Sequence, residues 1–330
     1  MIIDAYTHLA PRSFLSRMDK MSPALGNITA RLLSVKDLYD LDIRFRAMDS
    51  VDDYRQVISL PNPSLEECAD PKEGCELAHI ANIELAELCR THPSRFAGFV
   101  AAVCLTDVDK ALQEVDTAIG DLGAAGVQIY THINGVPLDD PAFEPFFAKM
   151  AQHDRPIWLH PSRTAAAISD YKSETKSRFE MWWCFGWPYD TSVAMARLVF
   201  AGLFDRYPNL DIITHHLGGM IPYFDGRVGP GLDVLGSRTK DEDYSGILPG
   251  LKRPHLDYFR MFYADTAMFG SATALPCGLR FFGPEHVVFA TDAPLGPIKK
   301  TVDAILGEHL EDSTRAAIFH GNARKLLRLP

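Results

Sequence analysis

Pro156-Ile157-Trp158-Leu159-His160-Pro161 is a short apolar run that delivers a metal-type side chain, His160, at its end. The same arrangement recurs along the chain. Ile2-Ile3-Asp4-Ala5-Tyr6 leads to His8, Leu210-Asp211-Ile212-Ile213 leads to the adjacent His215 and His216, and Val287-Val288-Phe289-Ala290 leads to Asp292. Short buried runs of this kind read as strands. In a parallel barrel every strand ends at the same rim, and that rim carries the chemistry. Positions far apart in sequence are then neighbours in space.

Working outward, strand signals alternate with amphipathic helical stretches, the pattern of repeated βα units. Strands are expected at Ile2–Tyr6, Gln56–Leu60, Phe96–Val103, Val127–Tyr130, Pro156–His160, Asp211–His215, Arg260–Ala264 and Val287–Thr291. Helical patterns fall between them at Gly74–Thr91, Asp107–Leu122, Pro141–Gln152, Thr191–Tyr207 and Ile298–Glu308, and a last helix, Asp312–Leu327, would close the lower side. The expected fold class is α/β, a (β/α)8 TIM barrel. Asp107 is placed to cap a helix N-terminus, with Gly123 and Gly126 offering positive φ beyond its end. Three stretches, Pro11–Tyr39, Thr164–Pro188 and Gly229–His255, break the alternation after strands one, five and six and are expected to be lids. No linker or repeat interrupts the chain, so residues 1–330 are expected to form one domain.

Bulk properties narrow the function. The chain has 330 residues, 47% hydrophobic and 23% charged, with a net charge of -10, which argues against general nucleic-acid or anionic-membrane binding. Met1-Ile2-Ile3-Asp4 shows no basic segment followed by a long apolar core, so a cytoplasmic location is expected. The six cysteines form no Cys-x-x-Cys pair and are expected to be free thiols.

Imidazole nitrogen and carboxylate oxygen bind zinc and similar ions, and a catalytic site keeps a position open. His8, His160 and Asp292 are the candidate metal ligands. Any one of these histidines alone is explained by local hydrogen bonding; their joint placement at strand ends is not. His215 and His216 are adjacent, so on a regular strand only one should face the barrel mouth. Either His216 does so, or His215 points inward as a metal ligand. Arg227, Arg163 and Arg46 are candidates for holding a substrate carboxylate, Arg227 foremost. Trp183 and Phe185 are candidates for lining a pocket for a flat substrate. His132 follows strand four, where local hydrogen bonding explains it best.

These motifs together resemble the amidohydrolase superfamily, in the branch containing 2-amino-3-carboxymuconate 6-semialdehyde decarboxylase and related nonoxidative decarboxylases. The resemblance rests on Gly126-Val127-Gln128-Ile129-Tyr130-Thr131-His132, Pro156 to Pro161, Ile212-Ile213-Thr214-His215-His216-Leu217-Gly218-Gly219, Gly226-Arg227-Val228, Phe262-Tyr263-Ala264-Asp265, Phe289-Ala290-Thr291-Asp292-Ala293-Pro294 and Gly321-Asn322-Ala323. It implies that His216 is catalytic and that Arg227 stabilises an anion. One departure stands out: the family opens with His-x-His, but Asp4-Ala5-Tyr6-Thr7-His8 puts Tyr6 at the first histidine position. A neutral phenol is a poor metal ligand, so Tyr6 is expected to contact substrate or water. The absence of lysine near Thr131 implies a mononuclear site.

The function implied is metal-dependent nonoxidative decarboxylation of an aromatic or unsaturated carboxylic acid. The metal would be zinc, with manganese or cobalt as alternatives, and the partners a small carboxylate substrate and a second copy of the chain in a homodimer. Two rivals use the same residues. One is hydrolysis or hydration, such as lactone or amide cleavage with Asp292 as base and His216 steadying the oxyanion; the other is a barrel that binds a carboxylate without turnover.

Overall fold

The computed structural model describes residues 1–21, 32–164, 168–238 and 242–329. Among these residues ten strands run in chain order: β1 (Ile2–His8), β2 (Tyr54–Ser59), β3 (Phe96–Ala102), β4 (Gly126–Tyr130), β5 (His132–Ile133), β6 (Val136–Pro137), β7 (Ile157–His160), β8 (Ile212–Thr214), β9 (Tyr263–Asp265) and β10 (Val287–Val288). Eight form one sheet in the order β1-β2-β3-β4-β7-β8-β9-β10, while β5 and β6 make a small antiparallel hairpin. Every neighbouring pair in the large sheet is parallel. Backbone bonds from Ala5 N to Phe289 O (2.8 Å) and from His8 N to Ala293 O (2.8 Å) join the two edges into a (β/α)8 barrel. No helix among the described residues is long and apolar enough to cross a membrane.

Side-chain alternation sorts the strands into two faces. Ile3, Val57, Val100, Trp158, Ile213 and Val288 fill the interior, where they meet Ala323, Leu326 and Leu327 of the C-terminal helix Asn322–Leu327. That helix plugs the lower side, as the sequence predicts. The alternate residues, among them Ile58, Phe99, Ala101, Ile129, Leu159 and Ile212, join the core beneath the surrounding helices. Burial of each of the larger of these side chains contributes roughly 1.5–3 kcal/mol, so the barrel wall is a rigid base for whatever its rim carries.

Three local expectations need correction. The seventh strand begins at Tyr263, not Arg260, because His255–Phe259 is helical and a turn follows it. The ladder of β10 stops at Val288, since beyond it the backbone bonds leave β9: Phe289 N donates to Ile318 O (3.0 Å), Ala290 N to Thr266 Oγ1 (2.9 Å) and Thr291 N to Asp4 Oδ1 (3.1 Å). Gly123 does adopt positive φ (77°), but Gly126 does not. It opens β4 in tight contact with β7, where a Cβ would lie 2.1 Å from Pro156 O. Asp107 caps Val108–Asp116 by accepting from Lys110 N (3.2 Å).

Arg44 anchors the base of the rim. It is buried without a carboxylate in direct contact, and donates from Nε to Gln56 Oε1 (2.8 Å), from Nη1 to His8 O (2.6 Å) and from Nη2 to Thr7 Oγ1 (2.9 Å). Arg44→Met would strand three buried acceptors, two at the end of β1 and one on β2. Each buried polar group left unpaired costs about 1–3 kcal/mol, so a large fall in the urea midpoint is expected; an unchanged midpoint would show that the network contributes little.

Candidate active site

Each proposed site residue of the rim lies two positions beyond an interior side chain. His8 follows Tyr6, His160 follows Trp158, His215 follows Ile213 and Asp292 follows Ala290, and the period of two brings all four to the barrel mouth. Their side chains are almost completely buried. His8 Nε2 lies 3.1 Å and His215 Nε2 3.6 Å from Asp292 Oδ1, and His216 Nε2 lies 3.9 Å from Asp292 Oδ2. One ring nitrogen each of His8, His160 and His215 fall within 4.8 Å of one another, as do ligand atoms of His215, His216 and Asp292.

Both members of the histidine pair therefore face the mouth, which the regular-strand argument did not allow. The reason is local. β8 ends at Thr214, and His216 and Leu217 take the left-handed conformation, with φ of 54° and 55°. This turn swings His216 back over the rim instead of away from it. Asp292 is also left-handed, with φ of 65°. Such conformations are costly for residues with a Cβ and concentrate at functional sites.

The ring tautomers are readable from the partners. His8 Nδ1 lies 3.1 Å from Leu60 O and His160 Nδ1 lies 2.7 Å from Pro161 O. A carbonyl only accepts, so each Nδ1 carries the proton and each Nε2 presents a lone pair. His8 Nε2 and Asp292 Oδ1 are buried at 3.1 Å with no hydrogen bond satisfying either. Two facing acceptors repel unless a cation or a proton lies between them. A tetrahedral ion at about 2.1 Å from its ligands spaces them roughly 3.4 Å apart, close to the separations found here, and imidazole with carboxylate suits zinc, manganese and cobalt. The residues fit a divalent metal.

The electrostatics point the same way. Burial opposes charge on His215, but Asp265 and Asp292 overcome it and lift the imidazole to about 9. Burial, joined by the neighbouring histidines, lowers His160 well below the ordinary range and lowers His216 as well. For Asp292, burial favours the neutral acid, yet the adjacent imidazoles of His215, His216 and His8 hold it far below the ordinary range. The carboxylates thus favour positive charge at the centre, a role that a metal ion fills as well as a proton.

Above the cluster lies a cavity of about 190 Å³ lined by Leu32, Asn62, Trp182, Trp183, Trp187, His216, Phe269, Asp292 and Leu295. A cavity of about 150 Å³ is enough to hold benzene. Trp187 stacks on His216 at 5.8 Å and 22°, and Trp183 stacks on Phe269 at 6.2 Å and 28°.

The remaining expectations divide. Trp183 reaches the cavity, whereas Phe185 is 69% exposed and points elsewhere, because the short helix Met181–Cys184 turns Trp182 and Trp183 inward and leaves Phe185 beyond its end. Arg163 is held in an ion pair with Asp190 (3.3 Å), outside the cavity lining. Arg227 sits exposed on the short helix Asp225–Val228, its guanidinium 6.0 Å from the Phe224 ring, and is not brought to the cluster of its own chain. Arg46 is exposed as well. Tyr6 lies under the rim, not in the cavity: its hydroxyl donates to Gln128 Oε1 (2.7 Å). His132 closes the β5–β6 turn by accepting from Gly135 N (3.1 Å). The six cysteines are free. Site residues not singled out from sequence include Trp182, Trp187, Asn62, Phe269 and Asp265. The last obeys the same strand-end rule as Asp292, and the tryptophans were visible only as a cluster whose helical phase was not.

Comparison with known proteins places this site. The amidohydrolase family model matches residues 3–329. Gamma-resorcylate decarboxylase of Rhizobium radiobacter is 30% identical over 313 residues, covering 91% of this chain and 89% of the relative. 2-Amino-3-carboxymuconate-6-semialdehyde decarboxylase of Dictyostelium discoideum is 26% identical, covering 99% and 91%. The crystal structure of dihydroxybenzoic acid decarboxylase from Polaromonas, with bound manganese and the inhibitor 2-nitroresorcinol, is 26% identical and superposes with a TM-score of 0.80 over 99% of this chain and 96% of that one. The chain belongs to the amidohydrolase family, in the branch that holds these decarboxylases. It is an enzyme, which sets aside the reading of a barrel without turnover.

Proposed function

We propose that the chain removes the carboxyl group of a hydroxylated aromatic acid, nonoxidatively, with one divalent metal held by His8, His160 and Asp292. The observation that carries this reading is that the buried histidine–carboxylate cluster opens into a cavity walled by Trp182, Trp183, Trp187 and Phe269. Aromatic walls suit a flat ring, and among them stand a few polar groups, Asn62, His216 and Asp292. When bound, the metal supplies Lewis-acid stabilisation of negative charge on substrate oxygens. The manganese of the Polaromonas decarboxylase makes Mn²⁺ the first ion to load, with zinc and cobalt next.

His216 faces both the cavity and Asp292, so its imidazole is the group placed to pass a proton to the ring carbon bearing the carboxylate. The carbon–carbon bond then breaks, its electron pair restores the ring, and carbon dioxide leaves. Trp187 keeps His216 in orientation by stacking, and Trp183 with Phe269 excludes water from the ring face. Arg227, exposed and outside its own chain's cavity, suits a role across a homodimer interface as a cation for the substrate of the second copy. Sedimentation is expected to give a dimer, with Arg227→Ala raising KM; a monomer with full activity would remove that role.

Trp183→Ala should raise KM by roughly 3- to 10-fold with a smaller change in kcat, since one aromatic contact contributes about 0.5–1.5 kcal/mol. An unchanged KM would place the substrate elsewhere. The reading as a whole is tested by incubating the Mn²⁺-loaded protein in D₂O with a panel of hydroxybenzoates. Carbon dioxide release with deuterium at the vacated ring position is expected. No carbon dioxide release from any of them, with cleavage of a lactone or amide offered in parallel, would overturn it.

A further inference from the structure

We infer that His215 is itself a ligand of the divalent metal, making the set His8, His160, His215 and Asp292, and that Tyr6 is a packing support excluded from it. This rests on the metal site proposed above. His215 is fully buried, and its Nδ1 lies 2.5 Å from Asp265 Oδ2. The carboxylate is the acceptor, so Nδ1 carries a proton and Nε2 is the atom turned into the centre, where it gives up any proton of its own to an incoming cation. Carboxylate–histidine pairs of this kind orient metal ligands and raise their basicity. Asp265 is itself held in place, accepting from Ala267 N (3.1 Å) through its other oxygen.

His215 Nε2 has no hydrogen-bond partner, although it is buried 3.6 Å from Asp292 Oδ1 and within 4.8 Å of the ligand nitrogens of His8 and His160. A buried nitrogen left unsatisfied beside a carboxylate, in a pocket of converging lone pairs, is what a metal position looks like without its ion. Its ring is 5.0 Å from that of His160. His216 differs. Its Nε2 lies farther from Asp292, at 3.9 Å, and its ring forms part of the cavity wall under Trp187.

Tyr6 is committed in the opposite direction. Its hydroxyl proton goes to Gln128 Oε1, and the Gln128 amide in turn donates to Leu60 O (3.2 Å) and Tyr130 Oη (3.0 Å). The phenol ring meets the rings of His215 and His8 edge-on, at 4.7 and 5.1 Å, and so props them from below.

The test is the affinity of the metal-free protein for Mn²⁺ and Zn²⁺, measured by titration calorimetry, with folding followed by circular dichroism. His215→Ala is expected to weaken binding by at least about 100-fold and Asp265→Asn by roughly 10- to 100-fold, whereas Tyr6→Phe should stay within a few-fold of the parent. A folded His215→Ala chain that binds one ion with parental affinity would overturn the assignment while leaving the metal site intact. A parent chain that binds no ion would instead sink the underlying reading. Should His215→Ala fail to fold, ¹⁵N-histidine spectra of the unaltered chain decide: His215 Nε2 moves on adding Zn²⁺ if it is a ligand, and an unmoved Nε2 rejects it.

Discussion

Asp292→Ala is expected to abolish metal retention and to reduce carbon dioxide release to background, the largest effect of any single substitution in this chain. The carboxylate sits where three imidazoles converge, with His8 Nε2 at 3.1 Å, His215 Nε2 at 3.6 Å and His216 Nε2 at 3.9 Å. It is the anionic member of the proposed ligand set, and without it a divalent charge would enter a buried pocket of neutral rings. The cost of burying charge without a counterpart is several kcal/mol. Elemental analysis of the purified variant, with a carbon dioxide assay after Mn²⁺ loading, checks this. Retained metal at parental stoichiometry would show that Asp292 is not a ligand. A second readout follows from the raised His215. Its elevation to about 9 depends on Asp265 and Asp292 against the opposing effect of burial, so removing Asp292 should lower the metal-free titration point of His215.

His216→Asn should separate chemistry from metal binding. The proton the ring carbon needs is assigned to this imidazole, and general acid catalysis contributes about 10²–10⁴-fold. A fall in kcat of that order is expected, with one metal per chain still present. Asn preserves a polar group of similar reach but does not titrate near neutral pH. Loss of metal together with activity would make His216 a ligand, and undiminished turnover would remove it from the mechanism.

The rim residues were legible because they obey a rule that needs no tertiary detail. Interior side chains of a strand recur every second residue, and His8, His160 and Asp292 each continue such a series past Tyr6, Trp158 and Ala290. The same rule, applied to Ile213, points to His215 as inward. What defeated it was His216: Gly218-Gly219 announces a tight exit, but the left-handed turn starts two residues earlier, at residues whose type does not ask for it. The lid residues failed for a different reason. Met181 to Trp187 is visibly aromatic, yet which rings face inward depends on helix phase and on Gly186, where a Cβ would lie 2.5 Å from Arg163 Cδ. That contact, with the Asp190 ion pair, also explains why Arg163 is not free to meet a substrate. The placement of Arg227 depends on how the stretch after β8 packs, which carries no periodic signal. Part of the expected first lid lies outside the described residues.

The most direct test is to count metal in the purified protein by elemental analysis, strip it with a chelator, and follow carbon dioxide release from a hydroxybenzoate before and after refilling with Mn²⁺. The account predicts one ion per chain, loss of release on stripping and recovery on refilling. A chain that takes up no ion, or that releases carbon dioxide equally well without one, would contradict it.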